Sequence, residues 1–194
     1  MREKNKINKL IKEILHFKQS VDKIDYSKLP NKLMGDLGEM YVIDKLFRLG
    51  YKNIEPKGGH SRYDIYLHDT DKRIEVRTSL LKNENVYPKG IDFYGWAVER
   101  TTQKIDDKFD ILIGIALPQS FNRPKYYIFT REETKKLGTV TGGRFSNVSK
   151  KIHLFKNENN LKQAIETKPK QVTSYERYIN RNPDKFLNRW DKLK

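Results

Sequence analysis

The sequence contains no cysteine, which excludes disulfides and thiolate metal sites, and its four histidines leave any zinc centre dependent on carboxylates. Chemistry built on hard cations and oxygen ligands stays open. No apolar run is long enough to span a bilayer, and the opening Met-Arg-Glu-Lys-Asn-Lys leads into an amphipathic segment rather than the apolar core of a secretion signal. The expected location is the cytoplasm, with no membrane partner. Acidic residues are few beside basic ones: 25 Asp and Glu face 40 Lys and Arg, a formal net charge of +15, with a pI of about 9.7. That balance fits a polyanion, nucleic acid first, better than a neutral metabolite, although an AT-rich genome also loads surfaces with Lys and Asn.

What is present suffices for one folded unit. A chain of 194 residues suits a single α/β domain, and its 36% hydrophobic and 34% charged residues carry no repeat or low-complexity tract that would signal disorder. We divide it into an N-terminal helical arm (1–32), a core (33–167) and a basic helical tail (168–194). The arm holds nine Lys/Arg against four Asp/Glu and the tail eight against three, so each contributes +5. Such ends clamp duplex phosphates or are plain solvated faces.

Apolar residues at spacings of three and four predict helices at Ile7–Phe17 and Leu33–Leu49, with Gly50 placed to end the second. Gly35 and Gly38 interrupt that helix's first turns at about 1 kcal/mol each relative to Ala, which points to a close approach by backbone or ligand, or to a later helix start. A short strand is expected at Tyr51–Ile54 and a loop at Pro56–Ser61. Two alternating runs follow, Tyr63–Leu67 and Arg73–Ser79, joined by the hairpin-length link His68–Lys72, and read as antiparallel neighbours. Strands are expected at Phe93–Val98, Phe109–Leu117, Tyr126–Phe129 and Ile152–Phe155. Helices are expected at Arg131–Leu137, closed by Gly138, and at Glu158–Ile165, with one or two more around Pro183 in the tail.

Because strand side chains alternate, Glu75 and Arg77 share one face while Val76 turns to the other. Hairpin pairing brings Asp64 towards Glu75. Two converging carboxylates are costly unless a cation lies between them, and oxygen ligation suits Mg²⁺, with Mn²⁺ able to substitute. A basic side chain alongside would position water and stabilise charge developing on a phosphate, the work Arg77 is placed to do.

Asp64 followed after a hairpin by Glu75-Val76-Arg77 resembles the motif of the PD-(D/E)XK nucleases, and Gly38-Glu39 on the upstream helix is similar to the glutamate many members carry there. The resemblance spans about Gly35 to Leu117. It implies a restriction-endonuclease-like α/β core, with a mixed central sheet flanked by helices and extra terminal helices. It further implies metal bound by Asp64, Glu75 and the Val76 carbonyl, with Glu39 supporting the catalytic group of Asp64, Glu75 and Arg77. Two departures stand out: Tyr63 replaces the motif's proline, and Arg77 its usual lysine. Arginine stays protonated and cannot act as a general base. Lys57 or Lys82 would be the nearest substitutes.

The expectation is a Mg²⁺-dependent DNA endonuclease, such as a type II restriction or other defence enzyme, acting as a homodimer on double-stranded DNA, with a second specificity subunit as an option. Lys57, His60, Lys82 and Arg144 are the candidate DNA contacts. Alternatives are a junction-resolvase-like nuclease, a non-catalytic DNA-binding module on a nuclease fold and, more remotely, an RNA-binding protein. The bland readings are an edge-strand Asp64, a Glu75–Arg77 surface pair worth less than about 1 kcal/mol, a Glu39 that serves only the helix dipole and an incidental His60. Tyr94 and Trp96 fill the core or line a cleft, core packing being preferred. Thr141-Gly142-Gly143-Arg144 lacks the context of a nucleotide-binding loop.

Overall fold

The computed structural model describes residues 28–57, 61–80, 93–100, 108–117, 124–141, 149–155, 159, 162–163, 166 and 183–194. The expected helix at Ile7–Phe17, the loop centre Gly58-Gly59 and most of Glu158–Ile165 lie outside them. Helix α1 spans Asn31–Arg48 and α2 spans Arg131–Leu137. The strands are β1 Ile54–Pro56, β2 Ile65–Leu67, β3 Lys72–Leu80, β4 Phe93–Arg100, β5 Ile111–Leu117, β6 Lys125–Thr130, β7 Thr139–Thr141 and β8 Ser149–Phe155. They form a five-stranded sheet in the order β1-β2-β3-β5-β6 and a three-stranded sheet in the order β4-β8-β7. In the larger sheet β3 and β5 run parallel and every other pairing is antiparallel, so the fold is mixed α/β.

Strand alternation separates two cores. Ile74 and Val76 of β3, Ile111, Ile113, Ile115 and Leu117 of β5, and Tyr126 and Ile128 of β6 pack with Met34, Leu37, Tyr41, Val42, Ile43 and Leu46 of α1. On the opposite face Leu112, Ala116, Tyr127 and Phe129 meet Tyr94, Trp96 and Val98 of β4 and Ile152 and Leu154 of β8. Covered on both sides, β5 is apolar apart from its one glycine and buried throughout. A Cβ on Gly114 would come within 2.9 Å of the Trp96 ring, so glycine makes room for the indole, whose Nε1–H donates to the Ile115 carbonyl at 3.0 Å. Tyr94 and Trp96 are core residues, 2% and 1% exposed.

Local chemistry sets the boundaries. Helix α1 ends in a Schellman motif: Gly50 has φ +94°, its N–H donates to Phe47 and that of Tyr51 donates to Leu46. Tyr51 is thus still leaving the helix, and Asp69 accepts the N–H groups of Lys52 and Asn53, which delays β1 to Ile54 rather than Tyr51. Helix α2 begins on a capping box in which Thr130 and Glu133 satisfy each other's N–H groups. Lys192 reaches that Glu133 and the Ile128 carbonyl, which ties the C-terminus to β6.

Three expectations need correction. Strand β2 is only three residues long and leaves Tyr63 and Asp64 outside it. Strand β7, with a single apolar residue, was not anticipated. Of the tail, residues 183–194 are described and the part before Pro183 lies outside the described residues; after Pro183 the chain forms two short 3-10 turns, Pro183–Lys185 and Trp190–Leu193, rather than a helix, because the segment between them joins β6: Ile128 donates to Phe186 and Asn188 to Tyr126. Leu193 is fully buried and Phe186 6% exposed, so this end of the tail belongs to the core. None of the helices among the described residues is long and apolar enough to cross a membrane.

The open question about the glycines of α1 divides. A Cβ on Gly35 meets nothing within 4 Å, whereas one on Gly38 would lie 1.9 Å from Thr78 Oγ1. Gly38 therefore lets α1 settle directly onto β3. Replacing Gly38 by alanine gains up to about 1 kcal/mol of helix propensity but overpacks a stiff β-branched neighbour, which costs about 1–3 kcal/mol. We expect Gly38→Ala to be destabilising in urea denaturation. Thr78→Ala, which removes a buried hydroxyl lacking a hydrogen-bond partner, should recover most of the loss in the double variant.

Candidate active site

A β-strand residue directs its N–H and C=O to the same side, and on the β2 side of β3 the ladder stops at the Ile65–Ile74 pair. Val76 is the next residue facing that edge. The Asp64 carboxylate takes its N–H at 2.7 Å, and the Arg77 guanidinium donates to its carbonyl at 2.8 Å. Asp64 is held for this purpose by its own backbone: its N–H donates to Ile74 at 3.0 Å and its carbonyl accepts from Lys57 at 2.8 Å. Asp64 thus acts as a side-chain continuation of the broken ladder.

Glu75 and Arg77 share the β3 face turned towards β4. Arg77 Nη2 donates to Glu75 Oε1, Nη1 lies 3.5 Å from Asp64 Oδ2, and Nε donates to the Ala97 carbonyl of β4 at 3.2 Å. One guanidinium therefore bridges Asp64, Glu75 and the Val76 carbonyl. The Glu75 side chain is 6% exposed, that of Asp64 24% and that of Arg77 41%, so the site is sealed beneath and open above.

Burial dominates the electrostatics. Desolvation pushes Glu75 up to about 7, opposed by the charges of Arg77 and Lys108 and reinforced by Asp64. Glu39 is also raised to about 7, by burial first and then by Asp64 and Asp36. Asp64 is raised by burial, against the Val76 N–H and Arg77. That Asp64, Glu75 and Arg77 all act on Glu39 places this side chain in the field of the cluster, where the close seating of α1 at Gly38 carries it.

Among the described residues no three histidine, aspartate or glutamate side chains converge to hold a metal ion. The oxygen donors drawn together are two carboxylates and one carbonyl, with Glu39 outside that set. Carboxylate and carbonyl oxygens gathered around one positive charge are the donor chemistry of Mg²⁺ or Mn²⁺, with water completing the shell, so the residues present fit such an ion.

Of the other sequence candidates, Lys57 alone lies among the described residues. Lys57 turns to Glu55, 2.7 Å away, and to the Tyr66 ring, so only its backbone touches Asp64. His60, Lys82 and Arg144 lie outside the described residues. Lys108, just before β5, was missed: its charge reaches Glu75 only because β5 runs parallel beside β3, a pairing no local pattern announces. Asp110, at the same corner, is held down to about 2 chiefly by its hydrogen bonds from Arg73, with Arg131 adding to the pair. It clamps β3, β5 and α2 together at the base of the site.

No protein-family model matches the chain, and no curated protein does. The solved structure of a bacterial homing endonuclease, I-Ssp6803I, is similar to it. The match covers 65% of this chain and 78% of that one, with 17% identity and a TM-score of 0.44.

The raised carboxyls fix a pH dependence. Glu39 and Glu75 titrate near 7 when folded and near 4.5 when unfolded, so between these values the folded state binds more protons than the unfolded one. Their contribution to stability is complete below about 4.5 and is lost as pH rises through about 7. In EDTA, urea midpoints should fall across that window, and Glu39→Gln/Glu75→Gln should flatten the fall. An unchanged slope in the double variant would refute the assignment.

Proposed function

We propose that the chain is a divalent-metal-dependent nuclease that hydrolyses phosphodiester bonds of double-stranded DNA, on a PD-(D/E)XK-type core. The observation that carries this reading is the convergence of Asp64, Glu75 and the Val76 carbonyl around one positive charge at an unpaired strand edge. The net charge of +15 makes a polyanion the natural substrate. An antiparallel hairpin, β2–β3, that delivers the two carboxylates into a mixed sheet flanked by α1 agrees with the resemblance in the motif.

Asp64, Glu75 and the Val76 carbonyl would hold the ion. When bound, it supplies Lewis acidity towards a phosphate oxygen and activation of the attacking water. The side chains do the remaining work. Glu75 is buried and cannot leave the site, and Asp64 is locked by three backbone hydrogen bonds, so the oxygen positions are fixed before substrate arrives. Arg77 is permanently charged and half open to solvent, which suits it to neutralising a phosphate and orienting water, while it cannot remove the water's proton. Glu39 adds negative charge at the border of the cluster.

A restriction or other defence enzyme is the biological role this chemistry fits first. Cutting both strands with one site per chain implies a homodimer, with a separate specificity subunit as the alternative. A second reading, a DNA-binding module that does not cleave, is favoured by one observation: Arg77 already occupies the position of the cation. The two part in one experiment. Incubated with plasmid and phage DNA, wild type should yield fragments with Mg²⁺ and none with EDTA, and Glu75→Ala should lose activity by at least about a hundredfold. Salt-sensitive binding without cleavage, indifferent to Mg²⁺, would support the binding module instead.

A further inference from the structure

A guanidinium bonded to the three oxygen donors of a cation site is more than a neighbour of that site. Arg77 meets Glu75 Oε1 and the Val76 carbonyl directly and Asp64 Oδ2 at 3.5 Å, with its fourth contact on the Ala97 carbonyl of β4. Glu75 is buried and Asp64 largely so, and without a counter-ion their mutual repulsion and desolvation would oppose folding. From these contacts we infer that Arg77 is an internal counter-ion that holds the carboxylates together in the absence of metal and is exchanged for a divalent cation when one binds. This rests on the metal-dependent reading above and adds to it a competition within the chain.

The geometry supports exchange rather than simple coexistence. The guanidinium contacts the two carboxyl groups and the carbonyl that would hold the ion, through one oxygen of each, and two positive charges cannot share these groups without repulsion in a partly buried site. The side chain also has somewhere to go: it is 41% exposed, and among the described residues its one hydrogen bond outside the cluster goes to a carbonyl of β4. Released from Glu75 and Asp64, the arginine presents its planar donor face to solvent, where a phosphate can take it up bidentately. The exchange keeps a positive charge on the carboxylates in both states and leaves the arginine available for substrate in only one of them.

Competition has a measurable size, because a cation that must displace a bound charge binds more weakly by the coupling between the two. Mn²⁺ binding to the full chain, followed by loss of the free-ion electron paramagnetic resonance signal, should tighten by about tenfold or more in Arg77→Met relative to wild type. In EDTA the same variant should melt below wild type, with Mn²⁺ returning most of the difference. Arg77→Lys, whose single ammonium cannot bridge all three acceptors, should bind with intermediate affinity. In the wild-type chain the Arg77 Nε–H resonance, identified by its loss in Arg77→Lys, should shift on titration with Mg²⁺, a readout that does not depend on the methionine variant folding. If Mn²⁺ binds wild type and Arg77→Met equally, and Glu75→Gln abolishes binding, the metal site stands and the exchange is wrong. If Mn²⁺ binds neither, both fall.

Discussion

Everything at the site depends on a strand edge left open. Strand β2 begins only at Ile65, opposite Ile74, so among the described residues β3 continues past Ile74 without a strand neighbour on that side, and Val76 turns an unladdered N–H and C=O towards it. A buried backbone group without a partner costs about 1–3 kcal/mol, and the chain meets this demand with side chains rather than with more strand. Asp64 satisfies the donor and Arg77 the acceptor. A carboxylate is therefore committed to a fixed place beside Glu75, and the repulsion this creates is what makes a cation necessary there.

The surrounding fold makes that arrangement rigid. On one face Gly38 removes the spacing a side chain would impose, bringing α1 onto Thr78 and Glu39 into the field of the cluster. On the other, Gly114 admits Trp96, whose hydrogen bond to Ile115 fixes β4 at the depth where Ala97 can accept from Arg77. Below, Asp110 fastens Arg73 of β3 to Arg131 of α2. Two glycines and one clamped aspartate thus set the distances among helix, sheet and second sheet.

Much of this was legible in the sequence, for identifiable reasons. Helix α2 was bounded correctly, with Gly138 following its last residue, and the structure adds the capping box of Thr130 and Glu133 at its start; α1 was placed within two residues because Gly50 ends it in a left-handed turn. The period of two in β3 put Glu75 and Arg77 on one face, as observed. Harder to see were features decided by partners distant in sequence: the parallel seating of β5 that brings Lys108 to Glu75, and the pairing of the residues after Pro183 with β6 that leaves them in 3-10 turns. The seating of Gly38 against Thr78 belongs to the same class, since two residues forty positions apart decide it. Arg77 was read as an aid to a metal ion; its contacts join it to Glu75, the Val76 carbonyl and Asp64.

Two neighbouring carboxylates, one of them buried, are held against desolvation and mutual repulsion only by positive charge placed among them. The most direct test is diffraction from crystals grown with Mn²⁺, recorded at the manganese absorption edge. The account predicts one anomalous peak about 2.1 Å from oxygens of Asp64, Glu75 and the Val76 carbonyl, with the Arg77 guanidinium moved off them. An Arg77 still bridging the three groups, with no manganese beside them, would contradict it.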